Sequence, residues 1–448
     1  MDQAFSLKNL KILLSEDRDK GGTLEEKYIP DAYNIRIKIF KLKKSESFLK
    51  HKVRSGKISA DVYARRIARL NPVLEKRKFQ HESSVVDELQ NIVRHVNKKE
   101  FRLNISLLPS LVLGKKVYGV GKTLAEILAV RFIQKSLKVI HDIKMPSRDM
   151  LVSQVKSLTL DGVPKFIIRA DVEQFYESVE HNHLLDVIHQ SPQLSIVVKR
   201  MLTRLIKDYV TVSGDKRGLP RGIGVSAYLA EIYLSSIDED IRKKDELFYY
   251  ARYVDDMILM FAPQRQANVS NYMEFLNGIL KAKGLALNHK TVLVDAVKEQ
   301  KGHFEYLGYI FTLTPGNSGV KLSKRKFDKY KERIDKAFTD YAKKSAFLPR
   351  KAASELVMRM LFLTGNMRLF NRKSNAFIGV YFSNKFITEL TQLVSLDKYY
   401  SNKLKSIVNP TLKRKLSKMS FEIGFKDKVF RSFDAKQLAE ISRGWKHG

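Results

Sequence analysis

One stretch limits the fold of this chain more than any other: Phe248-Tyr249-Tyr250-Ala251-Arg252-Tyr253-Val254-Asp255-Asp256-Met257-Ile258-Leu259-Met260-Phe261. Two adjacent acids interrupt an apolar and aromatic run that has no Gly, Pro, Asn or Ser to build a long loop. Side chains alternate faces along a continuous strand, so neighbouring acids serve one site only where the chain turns tightly. The stretch therefore predicts a strand–turn–strand hairpin with two carboxylates at its tip. Two readings stand at this point. One is a polar turn between core strands, a place Asp readily occupies. The other is a divalent-cation site, because two negative charges removed from water need a counter-ion.

Charge weighs on that choice. The 448 residues carry a net charge of +34, yet 44% of them are hydrophobic, so this is a folded protein and not a disordered basic tail. An excess of that size calls for a polyanion, and nucleic acid is the first candidate. A structural binder of the ribosomal kind is the bland alternative, but such proteins are usually much shorter. The absence of cysteine excludes disulfides and cysteine-ligated zinc and fits a reducing compartment. Met1-Asp2-Gln3-Ala4-Phe5 lacks the pattern of a signal peptide. No apolar run nears the roughly 18 residues of a membrane span. The expectation is a cytoplasmic protein with no membrane partner.

The element pattern predicts an α+β fold. Residues 1–100 read as charged and helical, with Ile58 to Leu70 spaced as an amphipathic helix with a basic face. Arg102 to Leu108 and Val117 to Val120 read as strands around a turn at Gly114-Lys115-Lys116. Helices are expected over Thr123 to Leu137, from Ser147 (as N-cap) to Leu158, from about Ser178, over Val225 to Lys243, and from about Asn268 to Lys283. Lys165 to Asp171 and Tyr306 to Phe311 read as strands. This order fits an antiparallel sheet backed by helices, close to the split βαβ type. From Lys321 to Arg350, Phe327, Tyr330, Ile334, Phe338 and Tyr341 recur at helical spacing, leaving a lysine-rich face suited to a duplex backbone or to solvent. Trp445 is expected to anchor the last helix in a core.

Asp171 closes an apolar strand far ahead of Asp255 in the chain, so only folding can join them. Together with Asp255 and Asp256 it would make a three-carboxylate site. Oxygen ligands without His or Cys suit Mg²⁺, with Mn²⁺ as substitute. A pair of such ions serves in-line phosphoryl transfer. Taken alone, Asp171 also fits an N-cap role. Gly119-Val120-Gly121-Lys122-Thr123 imitates the end of a P-loop, but position 116, where that motif needs Gly, is Lys. The ten histidines form no metal spacing, and His181 and His183 are expected to be solvated.

These residues carry a family resemblance. Ile168 to Val179, with Asp171, Val172 and Tyr176, resembles motif A of reverse transcriptases. Gly218-Leu219-Pro220-Arg221-Gly222-Ile223-Gly224-Val225-Ser226 resembles motif B, and Tyr253-Val254-Asp255-Asp256 resembles motif C. Asn288-His289-Lys290-Thr291 resembles motif D, and Tyr306-Leu307-Gly308-Tyr309 the primer grip. All five occur in the family's order. The resemblance implies a right-hand polymerase: fingers with a helical extension over 1–160, palm over 161–312, and a basic helical thumb and C-terminal region over 313–448. It implies an RNA-directed DNA polymerase that joins deoxynucleotides to a 3′-hydroxyl with two Mg²⁺ ions. Asp171, Asp255, Asp256 and the Val172 carbonyl would hold metal, and Lys290 would protonate the leaving pyrophosphate. The alternative for Lys290 is a solvated turn lysine.

Tyr176, Arg221, Gly222, Lys115 and Lys116, with Arg131 beside them, would contact the incoming nucleotide, and Tyr306, Leu307 and Gly308 the primer. Tyr176 would exclude a 2′-hydroxyl, its alternative being a core tyrosine. Motif B departs from the family where Arg221 replaces Gln and Ser226-Ala227 replaces Ser-Pro. Arg221 would touch phosphate or template, or else form a plain salt bridge. Glycines 218, 222 and 224 are expected to let the backbone approach the nucleotide. The Phe-Tyr-Glu-Ser run, the Leu-Ala-Glu-Ile-Tyr run and Leu363-Thr364-Gly365-Asn366 resemble bacterial unknown-group, antiphage and abortive-infection reverse transcriptases. That implies DNA copied from a dedicated noncoding RNA template, dNTPs as substrates, and a homo-oligomer or a hetero-oligomer with a second defence protein. The alternatives are an intron-encoded or retron-type polymerase and a non-catalytic RNA-binding scaffold.

Overall fold

The structure, a computed structural model, describes residues 4–112, 114–144, 146–262, 269–299, 301–371 and 374–445. It has the expected α+β class, with helices and antiparallel sheets. Two compact units divide the chain. The first takes 1–144, 174–239 and 282–285, and the second takes 145–173, 240–281 and 286–448. The strand Phe166–Asp171 pairs with Asp256–Phe261 and Val292–Asp295, and this pairing draws it into the unit that holds the C-terminal helices.

The first unit is mostly helical. Its long elements are Leu7–Asp19, Pro30–Arg54, Ala60–Asn97, Leu124–Ile140 and Ile196–Ser213. Leu10, Leu14, Leu89, Val96, Leu128 and Phe132 are among its fully buried side chains. Thr123 and Glu126 close a capping box, so the P-loop imitation ends in an ordinary helix start. The strand expected from Arg102 shrinks to Ser106–Leu107, paired with Tyr118–Gly119. Asn104 is diverted: its backbone N–H and side-chain amide both donate to Glu126 Oε1 at 3.0 Å. The helix expected from Ser178 is two helices, Phe175–Ser178 and His181–Gln190. The two histidines there are not solvated as expected. His181 is buried and bonded through Nε2 to the Gly218 carbonyl at 2.7 Å. The His183 ring meets Tyr233 edge-on at 5.2 Å, and burial pushes its pKa down.

In the second unit a four-stranded antiparallel sheet runs in the order Leu247–Tyr253, Asp256–Phe261, Phe166–Asp171, Val292–Asp295. Ile167, Ile258 and Met260 fall on one face by strand alternation. They join Phe304, Tyr306, Phe311, Ile334 and Met360 in one apolar core. A second sheet, Gly302–Tyr306, Tyr309–Leu313 and Gly319–Leu322, contributes to that core. On the other face Phe261 stacks on Tyr272 of the helix Val269–Ala282 at 4.3 Å. Asn268, the expected start of that helix, lies outside the described residues. The amphipathic reading of the lysine-rich segment corresponds to the helix Lys324–Ser345. Tyr330, Ile334 and Phe338 are buried, and Phe327 and Tyr341 pack at the core's edge. Trp445 packs on the same core, tilted against Phe362 at 5.5 Å. Asn366 of the Leu363–Asn366 run is buried and donates to the Gly424 carbonyl at 2.9 Å, so it has a structural task. Among the described residues no helix is long and apolar enough to cross a membrane.

Candidate active site

The apolar run around the two acids does form a hairpin. Tyr253 and Asp256 are its closing pair, and Val254 and Asp255 are the two-residue loop. Val254 has a φ of 61°, and of the two loop residues it alone is left-handed. That is the pattern of a type II′ turn, whose first loop position normally belongs to glycine. A β-branched residue there is strained, and strain of this kind gathers at functional sites. The Arg252 guanidinium donates to the Val254 carbonyl at 2.8 Å and braces the turn.

Register brings Asp171 to the same place. It lies directly opposite Asp256 in the pairing of the two central strands. The Asp171 carbonyl accepts from Asn288 N–H at 2.7 Å, on the side away from the Asp256 strand. Asp171 and Asp256 are therefore a non-hydrogen-bonded pair, the arrangement in which Cα atoms approach to about 4.5 Å and side chains are closest. By the same alternation the Val172 carbonyl points toward the Asp256 side, while its neighbours Asp171 and Glu173 bond to the 286–288 segment.

Arg169, two residues before Asp171, shares its face. Its Nε donates to Asp256 Oδ1 at 2.9 Å and its Nη1 to the Lys290 carbonyl at 3.2 Å. Burial pushes the Asp256 carboxyl up to about 6; Arg169 opposes this, and Asp171 and Asp255 add to it. Such crowding of acids is what a cation relieves. The donor set is all oxygen, which suits Mg²⁺ or Mn²⁺. Among the described residues no three acids or histidines already converge on one ion position. Asp256 is engaged with Arg169, so ion binding would exchange one cation for another. No sequence motif gives Arg169 a role, although the period of a strand places it beside Asp171.

Lys290 is exposed in a turn, and its N–H donates to Asn288 Oδ1 at 3.1 Å. Of the primer-grip residues, Tyr306 is fully buried. Burial drives its hydroxyl pKa far up, and the nearby Asp256 adds to the shift. Leu307 and Gly308 form the half-buried two-residue turn, with φ of 47° and 76°. Arg148 donates to the Leu307 carbonyl at 2.5 Å. Beside this turn lies a cavity of about 630 Å³, lined among others by Arg148, Tyr253, Arg325, Lys326, Lys329 and Arg333. Burial pushes the Lys326 ammonium down to about 7, and Arg148 adds to the shift against Asp149. Its Nζ lies over the Tyr309 ring at 4.2 Å and donates to the Ser383 carbonyl. No sequence motif pointed to this group.

The remaining candidates lie in the first unit. Arg221 makes a bidentate pair with Glu177, at 2.9 and 3.0 Å, and covers the Tyr176 ring at 4.7 Å. Lys115 reaches Glu177 at 3.5 Å, and Lys116 is exposed. Burial pushes the Glu177 carboxyl up, but Arg221 and Lys115 hold it below the usual range. Arg221 is thus in a salt bridge, the alternative weighed for it, and Glu177 went unnoticed in the sequence. Arg131 pairs with Asp17 at 2.9 Å. Two of the motif B glycines lie tight against other backbone. A Cβ at Gly222 (φ 91°) would lie 2.6 Å from the Tyr118 carbonyl oxygen, and one at Gly218 (φ 95°) 2.9 Å from that of Tyr176. Close backbone packing demands them.

The family model described as reverse transcriptase (RNA-dependent DNA polymerase) matches residues 93–311, which include all three acids. No curated protein matches the chain. Solved structures similar to it include apo telomerase from Candida tropicalis, at 12% identity and TM-score 0.39, covering 78% of this chain and 62% of that one. Telomerase from Candida albicans in complex with a TWJ fragment of telomeric RNA is similar at 14% identity and TM-score 0.35, over 80% and 64%. A C. tropicalis telomerase truncated from its C-terminal domain is similar at 13% and 0.33, over 50% and 55%. The chain spans less than two thirds of each of these telomerase chains. Residues 93–311 are a reverse transcriptase domain, the domain of RNA-directed DNA polymerases, which are nucleotidyltransferases.

Proposed function

We propose that this protein is a working reverse transcriptase that extends a 3′-hydroxyl with deoxynucleotides on an RNA template. The observation that carries the proposal is the pairing of Asp171 with Asp256 beside the strained Val254-Asp255 turn. Asp171, Asp255 and Asp256, with the Val172 carbonyl, would hold two Mg²⁺ ions. When bound, such ions lower the pKa of the attacking hydroxyl and stabilise the leaving pyrophosphate. Arg169 holds Asp256 in place and, through the Lys290 carbonyl, fixes the turn that presents Lys290 as proton donor. Tyr176 selects the deoxy sugar by leaving a 2′-hydroxyl without room or partner. Lys115, Lys116 and Arg221 take the triphosphate, with Glu177 as the acid that Lys115 and Arg221 leave. Gly222 sets the Arg221 backbone by packing on Tyr118. Leu307 and Gly308, with the cations of the adjoining cavity, position the primer strand. In this reading residues 1–160, 161–312 and 313–448 act as fingers, palm and thumb.

The finer role rests on the wording of the motif A, motif B and Leu363–Asn366 runs. We place the protein in the cytoplasm of a bacterium, in antiphage defence, copying a dedicated noncoding RNA within an oligomer. The test is template-dependent dNTP incorporation by the purified protein, with and without a chelator, followed by sequencing of copurified nucleic acid. Chelator-sensitive DNA copied from one recurrent RNA is the expected result. Bound RNA with no incorporation under any template would instead identify a scaffold.

A further inference from the structure

The first unit holds a second cationic cavity, in a part of the chain that precedes residues 93–311. It measures about 410 Å³, within the roughly 300–1,000 Å³ of ligand sites. Lys11, Arg18, Arg36, Lys43, Lys78 and His81 line it. Glu82 is the acid among its lining residues, and it is tied to Lys11 at 3.1 Å. A further carboxylate, Glu25, is buried at 1% exposure. It accepts from His81 at 2.7 Å and pairs with Arg36 at 3.2 Å and Arg18 at 3.7 Å. Burial pushes Glu25 up, yet His81, Arg36 and Arg18 hold it below the ordinary carboxylate range. One acid is thus shared among three cationic or titratable groups, which it orients, and their charge is not cancelled. Lys78 pairs with Glu75 at 2.6 Å, whereas among the described residues no acid is paired with Lys43. Like charges gathered this way repel unless an anion joins them.

The walls indicate which anion. Two of them are the long helices Pro30–Arg54 and Ala60–Asn97, and along these helices large aromatic side chains stand in solvent beside cations. Phe79, next to Lys78, is 75% exposed; Phe40, next to Lys41, is 66% exposed; Phe48, under the Lys52 ammonium at 4.6 Å, is 57% exposed. Cations that hold phosphates beside aromatic faces that stack bases are the means by which proteins bind single strands. A free phosphate or nucleotide would use the cavity but not the exposed rings. We propose that this cavity and helix pair form a docking site for a single-stranded nucleic acid, separate in sequence from the reverse transcriptase domain.

Two full-length variants test it, and neither touches the Glu25 cluster. Lys43→Gln with Lys78→Gln removes two cavity charges, and Phe79→Ala removes one exposed ring. Binding is read over a salt series with labelled oligo-uridine RNA, oligo-thymidine DNA and free dTTP. The lysine variant should lower the log–log salt slope by about 1.4, at about 0.7 per phosphate contact. Phe79→Ala should weaken strand binding on the order of tenfold at unchanged slope. An effect on RNA, on DNA or on both supports the site and names the strand. Unchanged affinity and slope on both strands, with unfolding midpoints equal to wild type, would overturn it. So would a loss confined to dTTP. The readout is binding, so it stands even if the protein proves inactive as a polymerase.

Discussion

Two regions of the second unit are electrostatic opposites. At the end of the four-stranded sheet Asp171 and Asp255 lie near enough to Asp256 to raise its pKa and the Arg169 guanidinium opposes them; Asp256 is pushed up to about 6. Beside the Leu307–Gly308 turn, cations crowd a cavity, Asp149 is the acid that favours the charged ammonium there, and Lys326 is pushed down to about 7. Each region is unfavourable to its own charged groups, and each would be relieved by a ligand of the opposite sign. Under the proposed function the first would take a cation and the second a phosphate. The contrast teaches that a ligand site can be read from the sign of the charge it penalises, even when nothing is bound.

The largest expected effect falls on the acidic side. Asp255→Asn should cut nucleotide incorporation by roughly 10³-fold or more, the scale of losing an electrostatic contribution of several kcal/mol. Single-turnover extension of a saturating primer–template measures it. A tenfold loss or less would place the essential charge elsewhere.

Arg169→Met should come next. It leaves Asp256 as a nearly buried acid without its partner, at a cost of about 3 kcal/mol in metal-free buffer. Denaturant unfolding measures that cost, and added Mg²⁺ should shrink it. An equal deficit with and without Mg²⁺ would break the idea that the ion and Arg169 serve the same carboxylate.

Lys326 sharpens the basic side. Its folded pKa, about 7, lies below its unfolded value, so the native state binds fewer protons than the unfolded chain between that pH and about 10. The penalty is fully present below pH 7 and fades as pH rises toward 10. Relative to Lys326→Met, the wild type should therefore gain stability over that window, by an amount on the order of a few kcal/mol. Unfolding of both proteins across that range checks the sign, and a flat difference would refute the burial of charge.

The smallest stability effect belongs to Arg221→Gln. Arg221 and Glu177 are each about a third exposed, so losing their pair should cost less than about 1 kcal/mol. The kinetic effect should be larger: KM for dNTP should change more than stability does. Unchanged KM and unchanged template preference would leave Arg221 a surface salt bridge.

Much of the sheet was legible because its information is local. Alternation and the Asp-Asp interruption marked the 253–256 hairpin, and the apolar run ending in Asp171 marked its partner strand. Helical spacing of Tyr330, Ile334 and Phe338 marked the helix that backs the core. What stayed hidden depends on contacts between distant residues. Arg169 meets Asp256 across paired strands, Arg221 meets Glu177 across a loop and a helix, and Lys326 is defined by neighbours from several segments. Local wording also left packing unread. Tyr306 has the wording of a primer contact, and pairing places it in the core. Gly222 has the wording of a ligand approach, and it lies tight against the Tyr118 backbone.

The claim beneath all of this is that Asp171, brought opposite Asp256 by strand register, shares metal ions with the hairpin. Electron paramagnetic resonance of Mn²⁺ reads it directly, with primer–template and the next dNTP present, in wild type and in Asp171→Asn. The account predicts tightly bound Mn²⁺ in the wild type and loss of bound ion in the variant. Equal occupancy in the two proteins would show that Asp171 is no ligand and that the sheet end does something other than nucleotidyl transfer.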